Sequence, residues 1–144
     1  MKENHRNLKA FTVLFRAYQS IQDATKKDLL QYGVNQTEFG VLEFLYHKGE
    51  QPIQVIGKKI LIASSSITYV VDQLEGKGFV CRRSCPKDRR VTYAVLTAKG
   101  QQLIEMIFPN HEQKINEIFE VLTEKEVDML MEALKKVGLN AEKK

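Results

Sequence analysis

The sequence predicts a mainly α-helical fold with a small β-hairpin wing, a winged helix-turn-helix with helices at both ends. Three observations predict it. Apolar residues recur at three- and four-residue steps over most of the chain, which is the period of amphipathic helices. A short hydroxyl-rich helical stretch at 64–76 is followed at once by two strand-like runs, 79–84 and 91–96. The turn between those runs carries Lys87, Asp88, Arg89 and Arg90.

The elements follow in order. Leu8, Phe11, Leu14, Phe15, Tyr18 and Ile21 mark a first helix, extended by Leu29 and Leu30 to a stop at Gly33. Asn35 heads a second helix, with Glu38 three residues on as a capping box. Phe39, Val41, Leu42, Phe44 and Leu45 are apolar nearly all round, so this helix belongs in the core. Residues 51–53 form a brief extended link, because the residue before Pro52 avoids helix. A short third helix is expected over 54–61 and a fourth from Ser64 to the Gly76-Lys77-Gly78 stop. The strands are rich in β-branched and aromatic residues, and Pro86 and Asp88 suit the turn. Thr97 caps a fifth helix carrying Leu103, Ile104, Ile107 and Phe108, which Pro109 is expected to kink or break. Thr123 and Glu126 form a second capping box before a last helix. The layout is ααβααββαα, one compact domain. The stretches 1–34 and 101–144 form a helical dimerisation region, and 35–100 a DNA-binding lobe.

Charge is unevenly spread. The 144-residue chain has a net charge of +4. Residues 57–100 hold nine Lys/Arg against three acids, or +6, which leaves −2 for the rest. Such an excess is the footprint of a surface for polyanions. The helices at 54–61 and 64–76, joined by a tight turn, match a helix-turn-helix. On the second, Ile67, Val70, Val71 and Leu74 face inward. Ser64, Ser65, Ser66, Thr68 and Tyr69 supply hydroxyls that can approach a groove and bond to bases or phosphates. Taken alone, that helix could equally be a plain surface helix with a serine cap. The hairpin decides between the two. Lys87, Arg89 and Arg90 at the tip suit a minor groove, Asp88 is placed to direct an arginine, and Arg82 and Arg83 would flank phosphates.

At these residues the chain resembles the MarR family of winged helix-turn-helix transcriptional regulators. The resemblance is carried by Leu74-Glu75-Gly76-Lys77-Gly78-Phe79-Val80, Arg82, Pro86-Lys87-Asp88-Arg89-Arg90 and Leu96-Thr97-Ala98-Lys99-Gly100. Asp88 and Arg90 form its most specific part. It implies a homodimer joined through the terminal helices, with 64–72 in the major groove and Arg90, aimed by Asp88, in the minor groove. It also implies a pseudo-palindromic operator on double-stranded DNA and a repressor released by a small phenolic or lipophilic effector, or by electrophile or oxidant stress. One departure is Ile56-Gly57 where the family usually has Leu-Ala; a helical glycine costs about 1 kcal/mol relative to alanine. The alternative is a winged-helix module that binds an acidic protein partner and no specific DNA.

Cys81 and Cys85, four positions apart on an extended strand, would place their Cα atoms about 13 Å apart, beyond the roughly 7 Å that a disulfide spans. Neighbouring cations could activate either thiol, so both are possible redox residues. The expectation is a packed Cys81 and a partly exposed Cys85. The redox members of the family carry a sensing cysteine in the first helix, and this chain has none there. Phe11, Phe15, Phe39 and Tyr46 are candidates for lining an effector pocket, with a core role as the plainer reading of each. His5, His47 and His111 are scattered, so no metal is expected. No cofactor is expected either. There is no phosphate loop, nucleophile elbow or paired carboxylates, so the chain is not read as an enzyme. No run is long enough to span a membrane and the first residues lack a signal peptide's apolar core. A cytoplasmic location follows.

Overall fold

The computed structural model describes residues 5–60 and 64–144; the side chains of Ser64 and Ser65 also fall outside the described set. The elements are α1 (His5–Leu30), α2 (Gln36–Lys48), β1 (Gln51–Pro52), α3 (Ile53–Lys59), α4 (Ser64–Gly76), β2 (Val80–Ser84), β3 (Thr92–Leu96), α5 (Ala98–Phe119) and α6 (Glu124–Glu142). The expected order ααβααββαα is therefore present. The turn between α3 and α4, and Leu61 where the third helix is expected to end, lie outside the described residues. The chain divides into two compact units, Met1–His111 and Glu112–Lys144.

Local chemistry sets most boundaries. Asn35 accepts the amide of Glu38 at 2.8 Å, and Glu38 returns a bond to the Asn35 amide at 2.9 Å. Thr123 and Glu126 repeat the same box at the start of α6. Thr97 starts α5: its Oγ1 accepts from the Gly100 amide at 3.0 Å and donates to the Gly78 carbonyl at 2.6 Å. Pro109 does not break α5, which runs continuously across it, so the break half of the expectation is corrected. Proline removes one helical hydrogen bond, and the carbonyl it orphans belongs to Glu105. Glu105 and Pro109 are both exposed, so water can serve that carbonyl.

In the larger unit, one core joins the helices to the sheet. Leu42 of α2, Ile56 of α3, Ile67, Val71 and Leu74 of α4, Ala94 of β3 and Ile104 of α5 are all fully buried. Each large aliphatic side chain buried this way contributes roughly 1.5–3 kcal/mol. Ile67, Val71 and Leu74 lie at i, i+4 and i+7, so burying them turns the opposite face of α4 outward. The sheet is antiparallel in the order β1-β3-β2, with Gln51 opposite Ala94 and Arg82 opposite Ala94 on the other side. β2 is thus an edge strand, and its hairpin with β3 forms the wing.

The wing base is anchored to α5. Gly100 comes so close to Phe79 that a Cβ on it would lie 2.0 Å from the Phe79 carbonyl oxygen. No other residue fits there. The Thr97 amide bonds that same oxygen at 3.1 Å, and Lys99 Nζ donates to the Lys77 carbonyl at 3.0 Å.

The outer parts of the chain contrast with this core. Leu8, Phe11, Leu14, Phe15 and Tyr18 of α1 are exposed, and only Thr25 and Leu29 of that helix are buried. α6 buries none of its residues and exposes Leu130, Met131, Leu134 and Val137. Among the described residues, no helix is long and apolar enough to cross a membrane.

Candidate nucleic-acid interface

The outward face of α4 presents exposed Ser66, Thr68, Tyr69 and Asp72. The side chains of Ser64 and Ser65, on the preceding turn, lie outside the described residues. Beyond α4, the wing folds over from β2 to β3. A cleft of about 440 Å³ lies beside them and is lined by Pro52, Val55, Thr68, Arg82, Arg90 and Thr92, among others.

The hairpin tip is built by Asp88. Its backbone carbonyl accepts from the Val91 amide at 3.0 Å, closing the turn. Its carboxylate accepts from the Arg90 amide at 3.0 Å, as asparagine and aspartate do in tight turns. The same carboxylate then takes the Arg90 guanidinium, Oδ1 from Nε and Oδ2 from Nη2, both at 3.2 Å. These side-chain and backbone bonds from Arg90 hold the Asp88 carboxyl below its ordinary pKa. Arg90 remains 91 % exposed although it is fixed at one edge. The result is a cation of set direction projecting from the wing. Lys87 and Arg89 flank it and are exposed.

The base of the wing is arranged differently. Arg82 donates from Nη1 to Glu75 and from Nη2 to Asp72, each at 2.6 Å. Burial works against its charge, but these bonds and the charges behind them outweigh it and raise its pKa. Arg83 lies on the other face of β2. It grips the Glu50 carboxylate with two nitrogens, Nε at 3.1 Å, and stacks over the Tyr93 ring at 4.6 Å. The bond to Glu50 raises its pKa as well. Both arginines expected at phosphates are therefore committed to carboxylates of the same chain.

Glu50, Asp72, Glu75 and Tyr93 were not read as partners from sequence. One signal was available. Each of the three acids in the basic stretch, Asp72, Glu75 and Asp88, accepts from an arginine. Behind the site, Lys77 reaches the carboxylate of Glu38 at 2.8 Å and the carbonyl of Gly33 at 3.0 Å. Glu38 has a side chain only 4 % exposed, so this pair pins the end of α4 to the start of α2.

Cys81 corrects a second expectation, because it is exposed while Cys85 is half-buried; both are free thiols. The pleat explains it: Val80 turns into the core, which sends the next side chain outward. Phe11 and Phe15 are exposed on α1, so neither takes the core role that is the plainer reading of each. Phe39 sits in the core against His111 at 4.5 Å, and Tyr46 is packed against that core. Among the described residues, no cluster of His, Cys, Asp and Glu could hold a metal.

Comparison with known proteins agrees with this geometry. The sequence model described as "MarR family" matches residues 34–92. The HTH-type transcriptional regulator MhqR of Bacillus subtilis is 57 % identical over 136 residues, covering 94 % of both chains. Sco3205, a MarR family regulator from Streptomyces coelicolor solved in complex with DNA, superposes with a TM-score of 0.88 at 23 % identity, covering 93 % of this chain and 86 % of that one. BpsR of Bordetella bronchiseptica, whose DNA binding is regulated by 6-hydroxynicotinic acid, gives 0.82 at 24 % identity, covering 90 % and 98 %.

Proposed function

The chain belongs to the MarR family of helix-turn-helix transcriptional regulators, which bind DNA and are not enzymes, and from that premise we propose how it engages its target. It binds a pseudo-palindromic operator on double-stranded DNA as a homodimer, acting in the cytoplasm. The observation that carries this reading is the joint presentation of the α4 hydroxyl face and an Arg90 that Asp88 directs away from the domain. α4 enters the major groove, where Ser64, Ser65, Ser66, Thr68 and Tyr69 meet base edges and phosphates. Arg90 enters the adjacent minor groove, with Lys87 and Arg89 against the backbone. The exposed apolar faces of α1 and of α6 each cover an equivalent surface of a second copy, since soluble monomers rarely leave such faces bare. The dimer sets the two α4 helices at the roughly 34–36 Å of one DNA turn. Residues 35–100 then act as the DNA-binding lobe and 1–34 with 101–144 as the dimerisation region.

The regulator acts as a repressor released by a small phenolic or lipophilic effector or by modification of Cys81 or Cys85. The behaviour of BpsR supports the first route, and the exposure of Cys81 on the wing supports the second. A gel shift with the promoter of the chain's own gene tests the reading. Binding of a dimer with strong salt dependence is expected. Binding no tighter than to random duplex would instead favour the protein-interaction module.

A further inference from the structure

We propose that Arg82 is a positioning residue that offsets one of the two negative charges of Asp72 and Glu75 at the DNA face, and that it does not itself contact phosphate. The proposal rests on the DNA-binding reading above. Its starting point is that α4, the helix meant to approach a polyanion, carries two carboxylates and no cation. Asp72 and Glu75 are three positions apart, on adjacent turns of one helix surface. Both are about half exposed, and Asp72 follows Thr68 and Tyr69 by one turn on the outward face. Left alone, this pair would repel the phosphates that α4 must come near.

Arg82 answers both acids at once. It comes from β2 and spends each terminal nitrogen on one carboxylate at 2.6 Å. Its side chain is only 27 % exposed, against 91 % for Arg90. The local charge is −1 with Arg82 in place and −2 without it. Turning Arg82 toward a phosphate would give up two charge-assisted bonds to carboxylates and uncover both acids beside the DNA. That exchange favours the arrangement seen here. The fork geometry of arginine suits the task, because it holds two acceptors in fixed directions; lysine, a point charge, would not. The same bonds tie the base of the wing to α4.

The test uses the full chain and a fluorescent duplex of its own promoter, with thermal unfolding of each variant as a fold control. Arg82→Ala should weaken binding roughly tenfold at moderate salt, the scale of one uncompensated charge near the backbone. Adding Asp72→Asn and Glu75→Gln to that variant should restore affinity to near wild type, with the salt slope unchanged. A phosphate contact predicts otherwise: the triple variant stays weak and its salt slope falls by about 1. That result, or an Arg82→Ala protein that binds as wild type does, overturns the proposal. If Arg82→Ala does not fold, Asp72→Asn/Glu75→Gln is measured instead: masking predicts affinity at or above wild type with the salt slope unchanged, and a clear loss, or a slope steeper by about 1, contradicts it. A wild-type protein that ignores the duplex sinks the DNA-binding reading itself, and this proposal with it.

Discussion

The tip and the base of the wing hold the same residue type in two different states. At the base, Arg82 and Arg83 are bound across two acids or bidentately and are committed to carboxylates of the same chain. At the tip, Arg90 touches one carboxylate by its edge and stays exposed, with Lys87 and Arg89 beside it. Adjacent cations in a sequence are therefore not equal as ligands for DNA. What separates them is the position of acids in space. Asp88 is two residues from Arg90 and can only brace it, whereas Asp72, Glu75 and Glu50 come from outside the hairpin and take the terminal nitrogens of their arginines.

The contrast can be broken most severely at its foundation. Gly100→Ala should destabilise the protein by about 3 kcal/mol or more, because the added methyl group would sit on the Phe79 carbonyl oxygen and neither backbone can retreat cheaply. Thermal or urea unfolding measures it, and a loss below about 0.5 kcal/mol would mean that the wing base is loosely held. Next in size is Arg90→Ala. It should reduce operator affinity roughly ten- to a hundredfold while leaving the unfolding midpoint nearly unchanged. Gel shift and calorimetry together check this.

Asp88→Asn should have a smaller effect. Asparagine can still accept the Arg90 amide and keep the turn, but it no longer holds the guanidinium by charge. Affinity should fall several-fold, less than for Arg90→Ala, in a binding titration. Acid should act in the same sense. The folded-state pKa of Asp88 is lowered, so its bond to Arg90 is complete above the ordinary carboxylate pKa. It is lost only as pH falls through the lower folded-state value. NMR titration of the Asp88 carboxyl in wild type and in Arg90→Ala would show the lowered pKa in the first and a less lowered one in the second, where only the backbone bond remains. The smallest effect is expected at Arg83. Arg83→Ala should change stability and DNA affinity little, as exposed ion pairs generally do.

Much of this arrangement was legible in the sequence because it is local. The capping boxes at Asn35 and Thr123 need residues three apart, and the Asp88 turn needs residues two apart. The expected errors lie where tertiary context intervenes. Pro109 does not break α5, because its lost hydrogen bond falls on the wet side of the helix. Cys81 is outside because Val80 claims the inner face of β2. The pairing of Arg83 with Glu50 joins residues 33 positions apart, and that of Lys77 with Glu38 joins residues 39 apart. No spacing rule reaches that far.

The partition of charge between base and tip is tested most directly by the salt dependence of operator binding. The slope of log affinity against log salt should fall by about 1 in Arg90→Ala and stay at the wild-type value in Arg83→Ala/Glu50→Gln. An equal fall in both variants would show that the base arginines meet the phosphates too, and would contradict the account.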